Sequence, residues 1–232
     1  MRLPLLLAAL AMPVMAAPAW SSEPQVAAAE DWTGTVARTE AGGYRIGNPD
    51  ATVQLVEFVS MTCGHCAHFH HEGMSPLLAG YVATGQVSLE MRNFVLNLPD
   101  MIASSVARCS AEPRFFDVTA ALLEKQDEWT GAFRRVDKEK GQALVDAKDL
   151  HGLAQMGGVA GIALDGDAGV GADALRECMN ELSVVDELLA MRRTAHQEHG
   201  VSSTPSFLIN DRLVPVHDWS SLKPLIDKAL AE

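Results

Sequence analysis

With 232 residues, 30 acidic against 18 basic side chains and a formal net charge of −12, the chain has room for one domain with an insertion and is poorly suited to binding nucleic acid or anionic lipid. Beyond the N-terminus no apolar run reaches membrane length. Four cysteines are too few for a scaffold built on disulfides.

Residues 1–19 carry Arg2, then a Leu- and Ala-rich run, then small residues at Ala16, Ala17 and Ala19. This is the layout of a secretory signal peptide, with Ala17-Pro18-Ala19 as a cleavage site. A membrane anchor is the competing reading, but the run is short and broken by Pro4 and Pro13. Export would place Cys63, Cys66, Cys109 and Cys178 in an oxidising compartment, where disulfides persist.

Residues 20–43, rich in Ala, Ser, Gly and Glu without a period, are expected to form a flexible lead-in. After the turn signal Gly47-Asn48-Pro49-Asp50, the β-branched run Thr52–Val59 reads as a buried strand. Cys63 to about Val82 reads as a helix. Val87, Leu89 and Met91 then alternate with Ser88, Glu90 and Arg92, the period of a half-buried strand.

From Asp100 to about His199 the pattern is helical, with Ser183 and Asp186 spaced as a capping box ahead of Leu188 and Leu189. Strands return at Ser206–Asn210 and Arg212–Val216 around a tight turn. A closing helix follows, with Asp218 near its start and Leu222, Leu225, Ile226, Ala229 and Leu230 on one face. With the helical block set aside, a β-α-β unit and a β-β-α unit remain. The expected class is α/β: a thioredoxin fold over 44–99 and 200–232, with an all-helical insertion over 100–199.

Cys63-Gly64-His65-Cys66 stands where the first strand hands over to a helix. A spacing of three on a helix brings two sulfurs within bonding reach. At the helix start Cys63 faces unpaired N–H groups and the positive end of the dipole, which favour thiolate and make it a good leaving group. His65 can add positive charge when protonated, and Cys66, one turn in, suits a shielded resolving thiol. A c-type haem attachment needs His after the second Cys, where Ala67 stands. A metal site would need further ligands, with His70 able to share a helix face with Cys66; a structural disulfide is the remaining reading.

Two other positions favour redox chemistry. Glu57 interrupts an apolar strand six residues before Cys63. An ionised carboxylate is costly to bury there, and a buried acid beneath the resolving cysteine can accept and return its proton. A solvent-facing strand position is the alternative. Pro205, in Ser203-Thr204-Pro205-Ser206-Phe207, belongs at a first strand position or in a special turn, where a cis bond would fit.

The stretches VEFVSMTCGHC, SSVARCSAEPRFFDVTAALLEKQDEW and GVSSTPSFLIN resemble the DsbA-like branch of the thioredoxin superfamily, bacterial periplasmic proteins with a helical insertion. The resemblance covers almost the whole mature chain. It implies that Cys63 is the nucleophile, Cys66 the resolving thiol and Glu57 the buried acid. Thr204 and Pro205 would present backbone to an extended, cysteine-containing exported substrate. It implies a periplasmic protein reoxidised by a DsbB-like membrane partner; no separate N-terminal dimerisation domain is read ahead of the first strand, so a monomer is expected, with no cofactor or metal. Gly64 stands where many of these proteins have proline, and Thr204 is more typical of isomerases and reductants, so an isomerase or reductant is the alternative. A Cys/His metal-binding protein using Cys63, Cys66 and His70 is the reading from a different class.

In that group two cysteines at places similar to Cys109 and Cys178 can form a second, structural disulfide; two separate buried thiols are the alternative. The acidic stretch Asp165–Asp173 lacks the Gly and Glu of a calcium loop, having Val170 and Arg176 there, and reads as an inter-helix loop. His196, His199 and His217 read as surface residues without clear partners.

Overall fold

The computed structural model describes residues 31–164 and 170–232. The proposed signal peptide and most of the stretch Asp165–Asp173 lie outside them. A six-stranded sheet runs in the order β1-β2-β4-β3-β5-β6, with β1 Val36–Arg38, β2 Tyr44–Ile46, β3 Val53–Val59, β4 Val87–Asn93, β5 Ser206–Ile209 and β6 Arg212–Val214. Only β3 and β4 pair in parallel; the other neighbours are antiparallel. A parallel pair needs a crossover, and the helical run from α1 (Gly64–Phe69) through α2 (Ser75–Leu77) supplies it, with π-helical turns at His70–Met74 and Leu78–Val82. Asn210 and Asp211, at φ of 47° and 63°, make the tight β5–β6 turn, for which their residue types are suited.

β3 is central and buried except at Gln54. Its alternation divides two cores. Val53, Leu55 and Val59 join the main cluster with Phe69, Leu77, Ile102 and Ile226. Val56 and Phe58 join a smaller one with Phe94, Ala195, Val201 and Leu208. β4 is more buried than its alternation suggests, because Ser88 is also enclosed.

Between β4 and β5 lie α3 (Leu98–Arg108), α4 (Phe115–Glu124), α5 (Gln126–Arg134), α6 (Lys138–Asp146), α7 (Leu150–Met156), α8 (Ala160–Leu164), α9 (Ala172–Met179) and α10 (Leu182–His199). α11 (Trp219–Leu230) closes the chain, with Asp218 accepting from the Ser221 N–H as its N-cap. Among the described residues no helix is long and apolar enough to cross a membrane.

Two expectations need correction. The stretch 20–43 is not a flexible lead-in where it is described, since Val36–Arg38 pairs with Tyr44–Ile46 and extends the sheet. A three-residue strand is too short to show a period, and its pairing depends on a partner distant from any local signal. Gly43 is a close-approach residue, because a Cβ there would lie 2.8 Å from the Met91 carbonyl oxygen. The Ser183–Asp186 capping box does not form: α10 begins at Leu182 with Glu181 at its N-cap, and the Ser183 hydroxyl turns back to Glu181 at 3.4 Å.

Candidate active site

β3 ends at Val59, and four residues later the chain enters α1. Cys63 occupies the N-cap with extended backbone (φ −86°, ψ 116°), so its side chain stands beside the first unpaired N–H groups of the helix. Cys63 is half-buried and Cys66, one turn in, is fully buried; neither is bridged in this structure. Against the same sulfur lies the Thr204–Pro205 segment, whose peptide bond is cis. Cys63 Sγ is 3.2 Å from the Thr204 carbonyl oxygen.

The two thiols are driven apart. Cys63 is lowered from its ordinary 9.0 to about 5, chiefly by hydrogen bonding with the Cys66 thiol. Burial opposes this, and Thr204 and the backbone N–H groups of Cys66 and His65 add to it. Cys66 is pushed well up, first by burial, then by its hydrogen bond to Cys63 and by the charge of Glu57. The result is an accessible sulfur that holds negative charge above a buried one that holds its proton.

Glu57 is fully buried, on the same β3 face as Leu55 and Val59, flanked across the sheet by Met91 and Phe207. Its Oε2 lies 3.4 Å from His70 Nε2. His65 projects outward and is exposed. Thus Cys63, Cys66, Thr204, Pro205 and Glu57 converge, while His65 sits on the rim. Cys109 and Cys178 lie in the helical block and are bonded to each other, with 5.8 Å between their Cα atoms. Among the described residues no group of three or more His, Cys, Asp or Glu side chains is placed to hold a metal ion, and His70 turns to Glu57.

Three supporting residues are invisible to motif reading. Asp100, buried on α3, accepts from the Ser60 hydroxyl, the Met61 N–H, the Leu96 N–H and the Ser104 hydroxyl. Burial pushes its carboxyl up while these donors pull it down. Gln126, on α5, donates to the carbonyl oxygens of Met61 and Cys63 at 2.8 and 3.1 Å. The helical block therefore holds the loop that delivers Cys63. His217 is exposed as expected but not partnerless: its Nδ1 is 2.6 Å from the Pro205 carbonyl oxygen. His196 likewise meets the Val201 carbonyl at 3.2 Å. Single polar residues on loops and helices carry no spacing signal; only the folded chain reveals these bonds.

Residues 39–228 match the family model described as thioredoxin. The chain belongs to the thioredoxin family. Within this family it is 32% identical to a crystal structure of protein-disulfide isomerase from Novosphingobium aromaticivorans, over 81% of this chain and 97% of that one, with a TM-score of 0.72. It shares its fold with alpha-DsbA1 of Wolbachia pipientis at 21% identity, 82% and 91% coverage and a TM-score of 0.60. A Rickettsia bellii relative, provisionally named a protein-disulfide oxidoreductase, is 26% identical over 191 residues. That match covers 81% of this chain and 64% of the relative, so the chain spans less than two thirds of the length of the curated relatives it matches. The thioredoxin family assignment and the DsbA-like architecture, sheet plus inserted helices, agree with the fold described above.

Proposed function

We propose that the protein is a periplasmic thiol–disulfide oxidoreductase that introduces disulfides into exported proteins through Cys63 and Cys66. The observation that carries this is the placement of the two thiols: Cys63 half-buried at the N-cap of α1, 3.2 Å from the Thr204 carbonyl oxygen beside cis-Pro205, with Cys66 fully buried one turn in, a setting that lowers Cys63 to about 5 and pushes Cys66 up. A stabilised Cys63 thiolate favours the reduced form, so the Cys63–Cys66 disulfide is an oxidant.

The cycle begins with a substrate thiolate attacking Cys63 Sγ. The Cys63–Cys66 bond breaks and Cys66 leaves as thiolate, then takes up a proton, with Glu57 the buried acid whose charge reaches it. A second substrate thiolate attacks the substrate sulfur of the mixed disulfide and Cys63 leaves as thiolate. Two electrons pass from the substrate dithiol to the protein, and a substrate disulfide is released. Thr204 and Pro205 offer backbone to the extended substrate segment. Reoxidation would fall to a quinone-linked membrane partner of the DsbB kind, with the protein acting as a monomer and without a cofactor.

The second reading, an isomerase or reductant of the same fold, draws support from Thr204, from the Gly64-His65 dipeptide and from the 32% identical isomerase relative. Equilibration against glutathione separates them. A reduction potential near about −120 mV, like DsbA, is expected for an oxidase; about −270 mV, like thioredoxin, reverses the direction of electron flow. Cys66→Ala should accumulate mixed disulfides with substrate, seen as non-reducing gel adducts, and their absence would remove the exchange mechanism itself.

A further inference from the structure

Glu57 and His70 form a buried pair that the exchange chemistry above does not fully use. Their side chains are 0% and 7% exposed, and Glu57 Oε2 and His70 Nε2 approach to 3.4 Å. All four of their polar atoms are enclosed and lack a hydrogen-bond partner. Around them are Phe69, edge-on to the His70 ring at 6.1 Å between centroids, and Phe207 and Met91 flanking Glu57 on the sheet. In such a setting a lone carboxylate or a lone imidazolium is costly, whereas a facing acid and base that hold one proton between them remain neutral as a unit.

The pair is placed to serve Cys66. His70 lies four residues after Cys66, on the same helix face, and the charge of Glu57 reaches the Cys66 sulfur. His70, its ring nitrogens enclosed, also borders an open cleft of about 570 Å³ with His68, His71, Glu124 and Asp127. Resting on the oxidoreductase reading above, we propose that His70 is a positioning residue that shares one proton with Glu57 and restores it from the cleft after Glu57 has protonated the departing Cys66. The balance is complete: the Cys63–Cys66 bond breaks, the Cys66 thiolate takes the proton of the pair, and the pair takes one proton from water. No net charge is left buried at any completed step.

The other titratable groups around the ring come from several elements. His68, paired with Glu72 at 3.3 Å, and His71 are on its own helical run. Glu124 of α4 and Asp127 of α5 face it across the cleft. α11 packs on the same run through Trp219, against Gly73, and its Lys223 and Asp227 pair with each other.

The test is stopped-flow reduction of the full-length disulfide form by a model dithiol between pH 5 and 8, for wild type, His70→Gln, Glu57→Gln and the double variant. His70→Gln should slow the reduction at least tenfold at neutral pH and flatten its pH profile. Glu57→Gln should lose at least as much, and the double variant no more than the larger single loss. His70→Gln within twofold of wild type at every pH, or losses that multiply, would overturn the proposal. Because removing a buried group can unfold the protein, the His70 ring nitrogens of wild type should also be titrated by NMR in both redox states. A titration that differs between oxidised and reduced protein is expected; the same curve in both overturns it. A wild type that exchanges no thiols at all would instead sink the oxidoreductase reading.

Discussion

Cys63 and Cys66 occupy the first turn of α1, whereas Cys109 caps the end of α3 and Cys178 lies in the last turn of α9. The helix dipole treats the two pairs oppositely: an N-terminus favours a thiolate and a C-terminus disfavours it. Cys63 also has Thr204 and two backbone donors beside it, while Cys109 is 5% exposed and tied into the core. Two pairs of the same residue thus suit different tasks, one to open and close, the other to stay shut. The neighbours each sulfur meets, the Cys66 thiol first and the helix-end N–H groups after it, make the difference rather than the residue type.

The sharpest way to break this comparison is to remove each pair in turn. Cys63→Ser should abolish exchange with a fluorescent dithiol peptide, leaving the rate of a protein-free blank. Cys109→Ser with Cys178→Ser should keep the rate within about threefold, because the bridge ties α3 to α9 whereas Cys63 opens α1. Their cost should appear in stability. A bridge across 69 residues is worth about 4 kcal/mol in the chain-entropy model, readable as a lower urea midpoint. Loss of exchange in the double variant, with the fold intact by circular dichroism, would mean the bridge tunes the reactive pair.

A smaller effect is expected at the joint between the two regions. Asp100→Ala leaves the Ser60 hydroxyl and the Met61 and Leu96 N–H groups without their acceptor. Buried donors left unpaired should cost about 3 kcal/mol and loosen the loop that delivers Cys63. Chemical denaturation and the exchange rate should therefore fall together. A stable variant with normal exchange would show that the helical block does not hold the active-site loop.

How much of this was legible in the sequence follows the range of the signal. The Cys63–Cys66 motif, Glu57 in an apolar strand and Pro205 before another are local patterns, and the structure brings these residues together. β1 was missed because its three residues have meaning only against Tyr44–Ile46. Asp100, Gln126 and His217 act through hydrogen bonds that reach across up to 40, 65 and 12 residues, respectively. Such contacts are set by packing, not by periodicity, so no spacing rule could announce them. Spacing alone puts His70 on the helix face of Cys66, as a metal ligand would be; its partner Glu57 on β3 is legible only with the sheet.

The comparison can be sharpened by titration. In the reduced protein, thiolate absorbance at 240 nm should appear with a midpoint of about 5. Since the folded value lies below the unfolded one, the thiolate contributes stability that is fully present above about 9 and lost as pH falls through about 5. Between those limits the reduced form should gain stability relative to the disulfide form as pH rises. A midpoint near 9 would mean that neither the Cys66 thiol nor the donors at the start of α1 stabilise the Cys63 thiolate.

The mildest change concerns Gly64, the first residue of α1. A Cβ added there meets nothing within 4 Å, and an N–H at this position has no partner within the helix. Proline is favoured at the first helical position, and the extended backbone of Cys63 is compatible with a following proline. The donors that lower Cys63 come from Cys66, Thr204 and the N–H groups of Cys66 and His65, so Gly64→Pro removes none of them. Stability should rise by about 0.5 kcal/mol through a stiffer unfolded chain, with the 240 nm midpoint shifted by less than about half a unit, under 0.7 kcal/mol. A shift beyond one unit would show that the glycine itself sets the reactivity of this pair, through a route the helix-end argument does not contain.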